Sequence, residues 1–182
     1  MTITPLYLTG SFEITLAPRG DHRGYFMRTF DRDTFARHGM TTDWVQANES
    51  LSNEPGTVRG LHFQRPPYSE VKLVQAVTGK ILDVIVDLRA GSPTFGRHYA
   101  AELSAENHKC LYVPKGFAHG FCVITAPAIV RYMVDQAYVP EAEDGLLWND
   151  PALQIEWPVS NPLTSAKDAL WKRLADLEPI SL

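Results

Sequence analysis

The sequence predicts an all-β protein, a sandwich or small barrel of short strands. Three observations carry that expectation. Short runs of alternating apolar and polar residues recur along the chain. Turn residues punctuate them, with 13 prolines and 12 glycines spread throughout. Helical periodicity is confined to two places, which leaves little room for an α-helical core.

Residues 6–16 and 24–29 are the first strand candidates. Asp31-Arg-Asp-Thr-Phe-Ala-Arg-His-Gly39 begins with acids and stops at glycine, so it reads as a short helix. Residues 45–52 and 57–64 return to alternation. Val71-Lys-Leu-Val-Gln-Ala-Val77 reads as a strand, Thr78-Gly79 as a turn, and Lys80 to Leu88 as the returning strand. In that second run Leu82, Val84, Val86 and Leu88 share one face, while Ile81, Asp83, Ile85 and Asp87 share the other. Further strands are expected at 97–103, 109–113, 120–125 and 128–138. A C-terminal helix is expected over about 165–177, where Ala169, Leu170, Leu174 and Leu177 have helical spacing.

The 182 residues suit one domain, taken as 1–182, and 45% hydrophobic with 21% charged residues is ordinary for a soluble protein. A net charge of −4 without a polybasic run argues against a nucleic-acid partner. No apolar run approaches the roughly 20 residues of a membrane span. Met1-Thr-Ile-Thr-Pro5 lacks the basic and apolar regions of a secretory signal, so none is expected. Cys110 and Cys122, each in an apolar context, read as buried free thiols, and a cytoplasmic location follows.

Pro114-Lys-Gly-Phe-Ala-His119 resembles the second motif of the cupins, in which a glycine turns the chain and the histidine enters the barrel. The metal-binding cupins add two histidines and a glutamate from an earlier motif. Here that segment is Arg59-Gly-Leu-His62-Phe-Gln64, without a His-x-His pair. Of the six histidines only His62 and His119 lie in barrel-strand candidates, so no metal is expected.

Several segments together resemble one family, the dTDP-4-dehydrorhamnose 3,5-epimerases. They are Asp21-His-Arg-Gly-Tyr-Phe26, Gln46-Ala-Asn-Glu-Ser50, Val58-Arg-Gly-Leu-His62-Phe, Lys72-Leu-Val and Asp83-Val-Ile-Val-Asp-Leu-Arg89. Ser92-Pro-Thr-Phe-Gly96, Pro114 to Gly120, Trp148-Asn-Asp-Pro151 and Ile155-Glu-Trp-Pro158 follow in order. The resemblance implies a cupin-type double-stranded β-helix, or jelly roll, with short peripheral helices. It implies epimerisation at C3, C5 or both of a nucleotide-linked 4-keto-6-deoxy sugar, without a cofactor. His62 is then the base, Tyr132 the acid on the opposite face, Lys72 the enolate stabiliser and Asp168 the support for His62. Asp83, on its otherwise apolar strand face, is the alternative support and a substrate-side candidate. Arg23, Arg59 and His119 match positions near the phosphates and sugar; Phe26, Gln46 and Asn48 match positions around nucleotide or sugar. Tyr138 matches a substrate contact and, six residues from Tyr132, shares its strand face if no bulge intervenes.

The family pattern Arg-Gly-x-Phe-x-Glu reads Arg23-Gly-Tyr-Phe26-Met-Arg28 here. A guanidinium only donates where a carboxylate accepts, so Arg28 is expected to alter base selectivity. The resemblance also implies a homodimer that exchanges N-terminal strands. A sugar-nucleotide 3,4-ketoisomerase and a non-catalytic sugar-binding cupin are the alternative readings.

Overall fold

An alternating run such as Lys72-Leu-Val-Gln-Ala-Val sends successive side chains to opposite faces of an extended chain. In the computed structural model, which describes residues 1–182, such runs form eleven strands. In chain order they are β1 (Thr2–Pro5), β2 (Phe12–Thr15), β3 (Arg19–Asp21), β4 (Gly24–Phe26), β5 (Gln46–Ser52) and β6 (Val58–Gln64). They continue with β7 (Lys72–Asp87), β8 (His98–Ser104), β9 (Lys109–Val113), β10 (Phe117–Val134) and β11 (Glu143–Gly145). One α-helix, α1 (Arg32–Arg37), lies between β4 and β5, as the acids and glycine around it predict. Its N-cap Asp31 accepts from Thr34 N at 3.0 Å, a cap of about 1 kcal/mol.

β7 and β10 organise the remainder. They pair antiparallel along most of their length, yet their two halves have different outer neighbours. Residues 72–75 of β7 pair with β9, which leads to β2 and β1, and residues 128–134 of β10 pair with β5. Residues 80–86 of β7 pair with β8, while residues 119–122 of β10 pair with β6, which leads to β11. Two layers, β1-β2-β9-β7-β10-β5 and β8-β7-β10-β6-β11, thus share two bent strands. The result is a jelly roll.

The bend corrects one sequence expectation. Thr78-Gly79 is not a hairpin turn; β7 continues through it into Lys80. Gly79 has φ +69°, and a Cβ there would lie 2.4 Å from the Thr125 carbonyl oxygen and 2.7 Å from that of Pro127. The glycine marks a corner where β10 crosses closely, not a reversal of the chain. β10 shifts register at the same place, between Val123 and Val130, and so joins the two strands expected at 120–125 and 128–138.

The two faces of β7 are both buried, in different cores. Ile81 and Ile85 join Val74, Leu103, Leu111, Phe121 and Val130 in the interior between the layers. Val84, Val86 and Leu88 pack outward with Leu61, Phe63, Leu146, Leu153, Leu177 and Ile180. A third cluster, on the outside of the first layer, holds Ile14, Leu73, Cys110 and Tyr112 under Phe35 of α1. Each fully buried large aliphatic or aromatic side chain contributes roughly 1.5–3 kcal/mol. Both cysteines are free and buried, and burial pushes the Cys110 thiol up to about 12 and Cys122 up to about 11.

The C-terminal helix expected over 165–177 does not form. The segment has one 3-10 turn at Asp168–Leu170 and another at Leu174–Asp176, with Trp171 extended between them. Tertiary pairing decides this. Lys172 bridges Leu146, and Leu147 N donates to Lys172 O at 2.8 Å. Leu177 packs into the outer core, whereas Leu170 is 83% exposed. No helix is long and apolar enough to cross a membrane.

Candidate active site

Strand parity decides which side chains enter the space between the layers. On β7, Val74 and Ala76 belong to the interior core, so Lys72 at the same parity points inward. On β10, Val130 is interior and Tyr132 packs against that core. On β6, Leu61 and Phe63 face the outer core, which turns His62 and Gln64 inward. Apolar side chains fill one end of the lumen. The polar residues open at the other end into a cavity of about 450 Å³ lined by Gln46, Asn48, His62, Lys72, Tyr132 and Tyr138 among others. An adjoining hollow of about 310 Å³ shares His62, Lys72 and Tyr132 and adds Arg59, His119 and Asp168.

His62 Nε2 lies 2.6 Å from Asp168 Oδ1. Burial by itself would raise the Asp168 carboxyl. Bonds from His62, from Trp171 Nε1 (3.2 Å) and from Gly60 N (3.5 Å) outweigh it and hold the group below the ordinary carboxylate value. An ionised Asp168 only accepts, so His62 Nε2 carries the proton and Nδ1 is left as the basic nitrogen. Trp171 further confines the imidazole edge-on, with ring centroids 6.1 Å apart. Gly145 makes room for that indole, since a Cβ there would lie 2.3 Å from it.

The Arg59-Gly-Leu-His62 motif also has a local reason. β6 and β10 approach so closely that a Cβ on Gly60 would lie 2.6 Å from Gly120 Cα, and Gly60 sits at φ +127°. A bulge between His119 and Phe121 accompanies the approach. His62 and His119 are direct cross-strand partners there.

Asp83 corrects a sequence reading. It supports His119, not His62: Asp83 Oδ1 is 2.8 Å from His119 Nε2. It is fully buried and lines neither hollow, so it reaches the site only through His119.

Burial raises the Tyr132 hydroxyl above the ordinary phenol value. The Glu70 charge adds to that, and Arg59 partly opposes it. Tyr132 therefore stays a proton donor at neutral pH. Lys72 Nζ is 2.8 Å from Glu70 Oε1. Tyr138 lies past the end of β10 but lines the same cavity as Tyr132. Its backbone N donates to Gln46 Oε1 at 2.9 Å, and its hydroxyl donates to Glu143 Oε2 at 2.5 Å. Arg59 donates to Ser52 Oγ and Leu51 O on the rim.

Three expected residues stand elsewhere in the single chain. Arg23 and Phe26 belong to the β3–β4 hairpin, a separate two-stranded sheet, where Arg23 pairs with Asp21 at 2.6 Å and Phe26 is 69% exposed. Arg28, just beyond, bonds Asp31 at 3.1 Å in a small hollow with Arg19 and Phe26. Sequence reasoning missed Glu70, Glu143, Gln64, Lys167 and Trp171. Only Glu70 left a signal, an acid two residues before Lys72 and at the same strand parity.

A base held by a buried carboxylate, a phenol that keeps its proton, and an ammonium all open on one small lumen. They suit removal of a proton from carbon beside a carbonyl and its return. The fold and site define an isomerase of the cupin-like jelly-roll type. The family model described as dTDP-4-dehydrorhamnose 3,5-epimerase matches residues 5–176, and the chain belongs to that family. It is 45% identical over 160 residues to the dTDP-4-dehydrorhamnose 3,5-epimerase of Shigella flexneri, covering 87% of this chain and 88% of that one. It is 40% identical over 169 residues to the dTDP-4-dehydrorhamnose 3-epimerase of Streptomyces niveus, covering 92% and 81%. The crystal structure of the Bacillus anthracis 3,5-epimerase, with TDP and pyrophosphate bound, superposes with TM-score 0.92 at 44% identity, covering 94% of this chain and 98% of that one.

Proposed function

We propose that the protein epimerises a nucleoside-diphosphate-linked 4-keto-6-deoxyhexose at C3, C5 or both, with His62 as base and Tyr132 as acid. The observation that carries the reading is the 2.6 Å His62–Asp168 bond at a lumen shared by Lys72 and Tyr132. The C4 ketone acidifies the neighbouring C–H bonds. His62 takes a proton from carbon, and the electron pair moves to O4. Lys72 offsets the charge that develops there, an effect worth roughly 3 kcal/mol in a closed site. Tyr132 returns a proton to the opposite face, which inverts the centre. Arg59 and His119 face the second hollow and suit the diphosphate; Gln46, Asn48 and Tyr138 suit the sugar and nucleotide.

The working form in this reading is a cytoplasmic homodimer. Two buried free thiols support the compartment. The hairpin that carries Arg23 and Phe26, with Arg28 beyond it, supports the dimer. It leaves Tyr25 61% exposed and serves the nucleotide if it reaches a partner's lumen.

Solvent-deuterium exchange into a panel of nucleotide 4-keto sugars, followed by NMR, tests the assignment. The wild type incorporates deuterium at C3, C5 or both, and His62→Ala does not while keeping its fold. Unchanged exchange at both positions in that variant removes His62 as the base.

A further inference from the structure

Buried carboxylates in this protein fall into two kinds. Asp87 accepts on both oxygens, from Arg89, Ser92 and Thr94. Asp150 also uses both, one for Ala152 N and one for Leu174 N. These carboxylates hold backbone and loops in place. Glu70 differs. Its side chain is only 6% exposed, its Oε1 meets Lys72 Nζ at 2.8 Å, and its Oε2 is buried with no partner in the protein. Buried polar atoms are seldom left unpaired, and a half-used carboxylate is a poor device for stability. Its one commitment is to a cavity-lining lysine that is itself 12% exposed.

Lys72 needs such a partner. A lysine has a flexible four-carbon stem and a point charge without directional preference, and Glu70 makes the ion pair that Lys72 has in the structure. Val71 between them is anchored in the third cluster, under α1, and its N donates to Asp135 Oδ1 at 2.7 Å. The backbone that carries both ends of the pair is therefore fixed. The same arrangement recurs at Asp83, whose Oδ1 meets His119 while Oδ2 has no partner.

We propose that Glu70 is a positioning residue, which holds the Lys72 ammonium at one place in the lumen and acts on the reaction through Lys72. This rests on the reading of Lys72 as the group that faces the developing oxyanion. Without the carboxylate the stem is free to carry the ammonium toward Glu143 or the amides of Gln46 and Asn48, which line the same cavity. Displacement of a catalytic group by about 1 Å can lower a rate about 100-fold.

The test is a double-mutant cycle of Glu70→Gln and Lys72→Met, read by deuterium exchange into a dTDP-linked 4-keto-6-deoxyhexose. Glu70→Gln keeps shape and removes charge. It should lower kcat about 10- to 100-fold with KM changed less than about threefold. In the Lys72→Met background the same substitution should add less than about twofold, because its target is gone. An equal loss in both backgrounds overturns the proposal while leaving the role of Lys72 intact. Full exchange by Lys72→Met overturns that role as well, so the two failures are distinct. Should Glu70→Gln not fold, Glu70→Asp serves. It keeps the charge but shortens the reach, and wild-type kcat in that variant also overturns the proposal.

Discussion

In the proposed mechanism Asp168 and Tyr132 have opposite tasks, and burial acts on both. Asp168 stays ionised because three donors converge on it. Tyr132 stays protonated because burial and the Glu70 charge disfavour phenolate. In the proposed mechanism the first orients His62 by accepting from its Nε2, and the second holds a proton for delivery. Tyr132→Phe separates the two steps. Abstraction by His62 survives, and His62 returns deuterium to the face it came from. Inversion should fall by about 10²–10⁴-fold, the usual range for a general acid, and exchange by much less. Equal losses of inversion and exchange, with substrate binding unchanged, count against a separate acid.

Among elements, the β3–β4 hairpin and the residues after it form the part least tied to the lumen of their own chain. Arg28 ends this stretch with its guanidinium on Asp31, the N-cap of α1. A carboxylate at that place could accept from a pyrimidine N–H, whereas Arg28 offers donors to carbonyl oxygens, which thymine, uracil, cytosine and guanine all present. We therefore expect Arg28→Glu to shift preference toward dTDP. The shift should be about tenfold, since a buried group left unpaired costs about 1–3 kcal/mol. Affinities for dTDP, UDP, CDP and GDP measure it. A strong dTDP preference in the wild type, unaltered by the substitution, removes Arg28 from selectivity.

For the whole molecule, acid stability rests in part on the end of β7. Burial by itself would raise Asp87. Its bonds with Arg89, Ser92 and Thr94 win and hold it down at about 2 against an ordinary 3.8. Because the folded value is depressed, this stabilisation is complete above about pH 4 and is lost as pH falls toward 2. Its size is roughly 2 kcal/mol. Asp87→Asn should lower the urea midpoint near neutrality and flatten its fall between pH 4 and 2. Asp168 is also depressed and keeps some slope in the variant. A variant with the wild-type pH dependence would show that Asp87 has no such role. At the same scale, the proposed dimer predicts twice the chain mass by light scattering at micromolar concentration. A fully active monomer contradicts it.

The sequence by itself determined the all-β class and the α1 helix, and its family motifs named residues that line the lumen. Those features are local: alternation, a capped acid-to-glycine run, and residue types in short motifs that bring His62, Lys72 and Tyr132 onto inward strand faces. Parity along a strand is readable from the chain, and so was the division of residues 81–88 into an apolar face and one that mixes isoleucines with Asp83 and Asp87, although not that both are buried in separate cores. Tertiary structure alone decided the rest. Gly79 became a corner because another strand crosses it, which no local turn signal records. Residues 165–177 have helical spacing, but pairing of Lys172 with Leu146 and burial of Leu177 outweigh a propensity worth only tenths of a kcal/mol per residue. Asp83 looked like a partner for His62 because it stands beside Ile81 and Ile85 on one strand face, and only the registry of β10 against β7 sets it on His119. Asp168, which the family resemblance named as the support of His62, meets it across 106 positions of sequence, and the path of the C-terminal segment over β6 makes that contact.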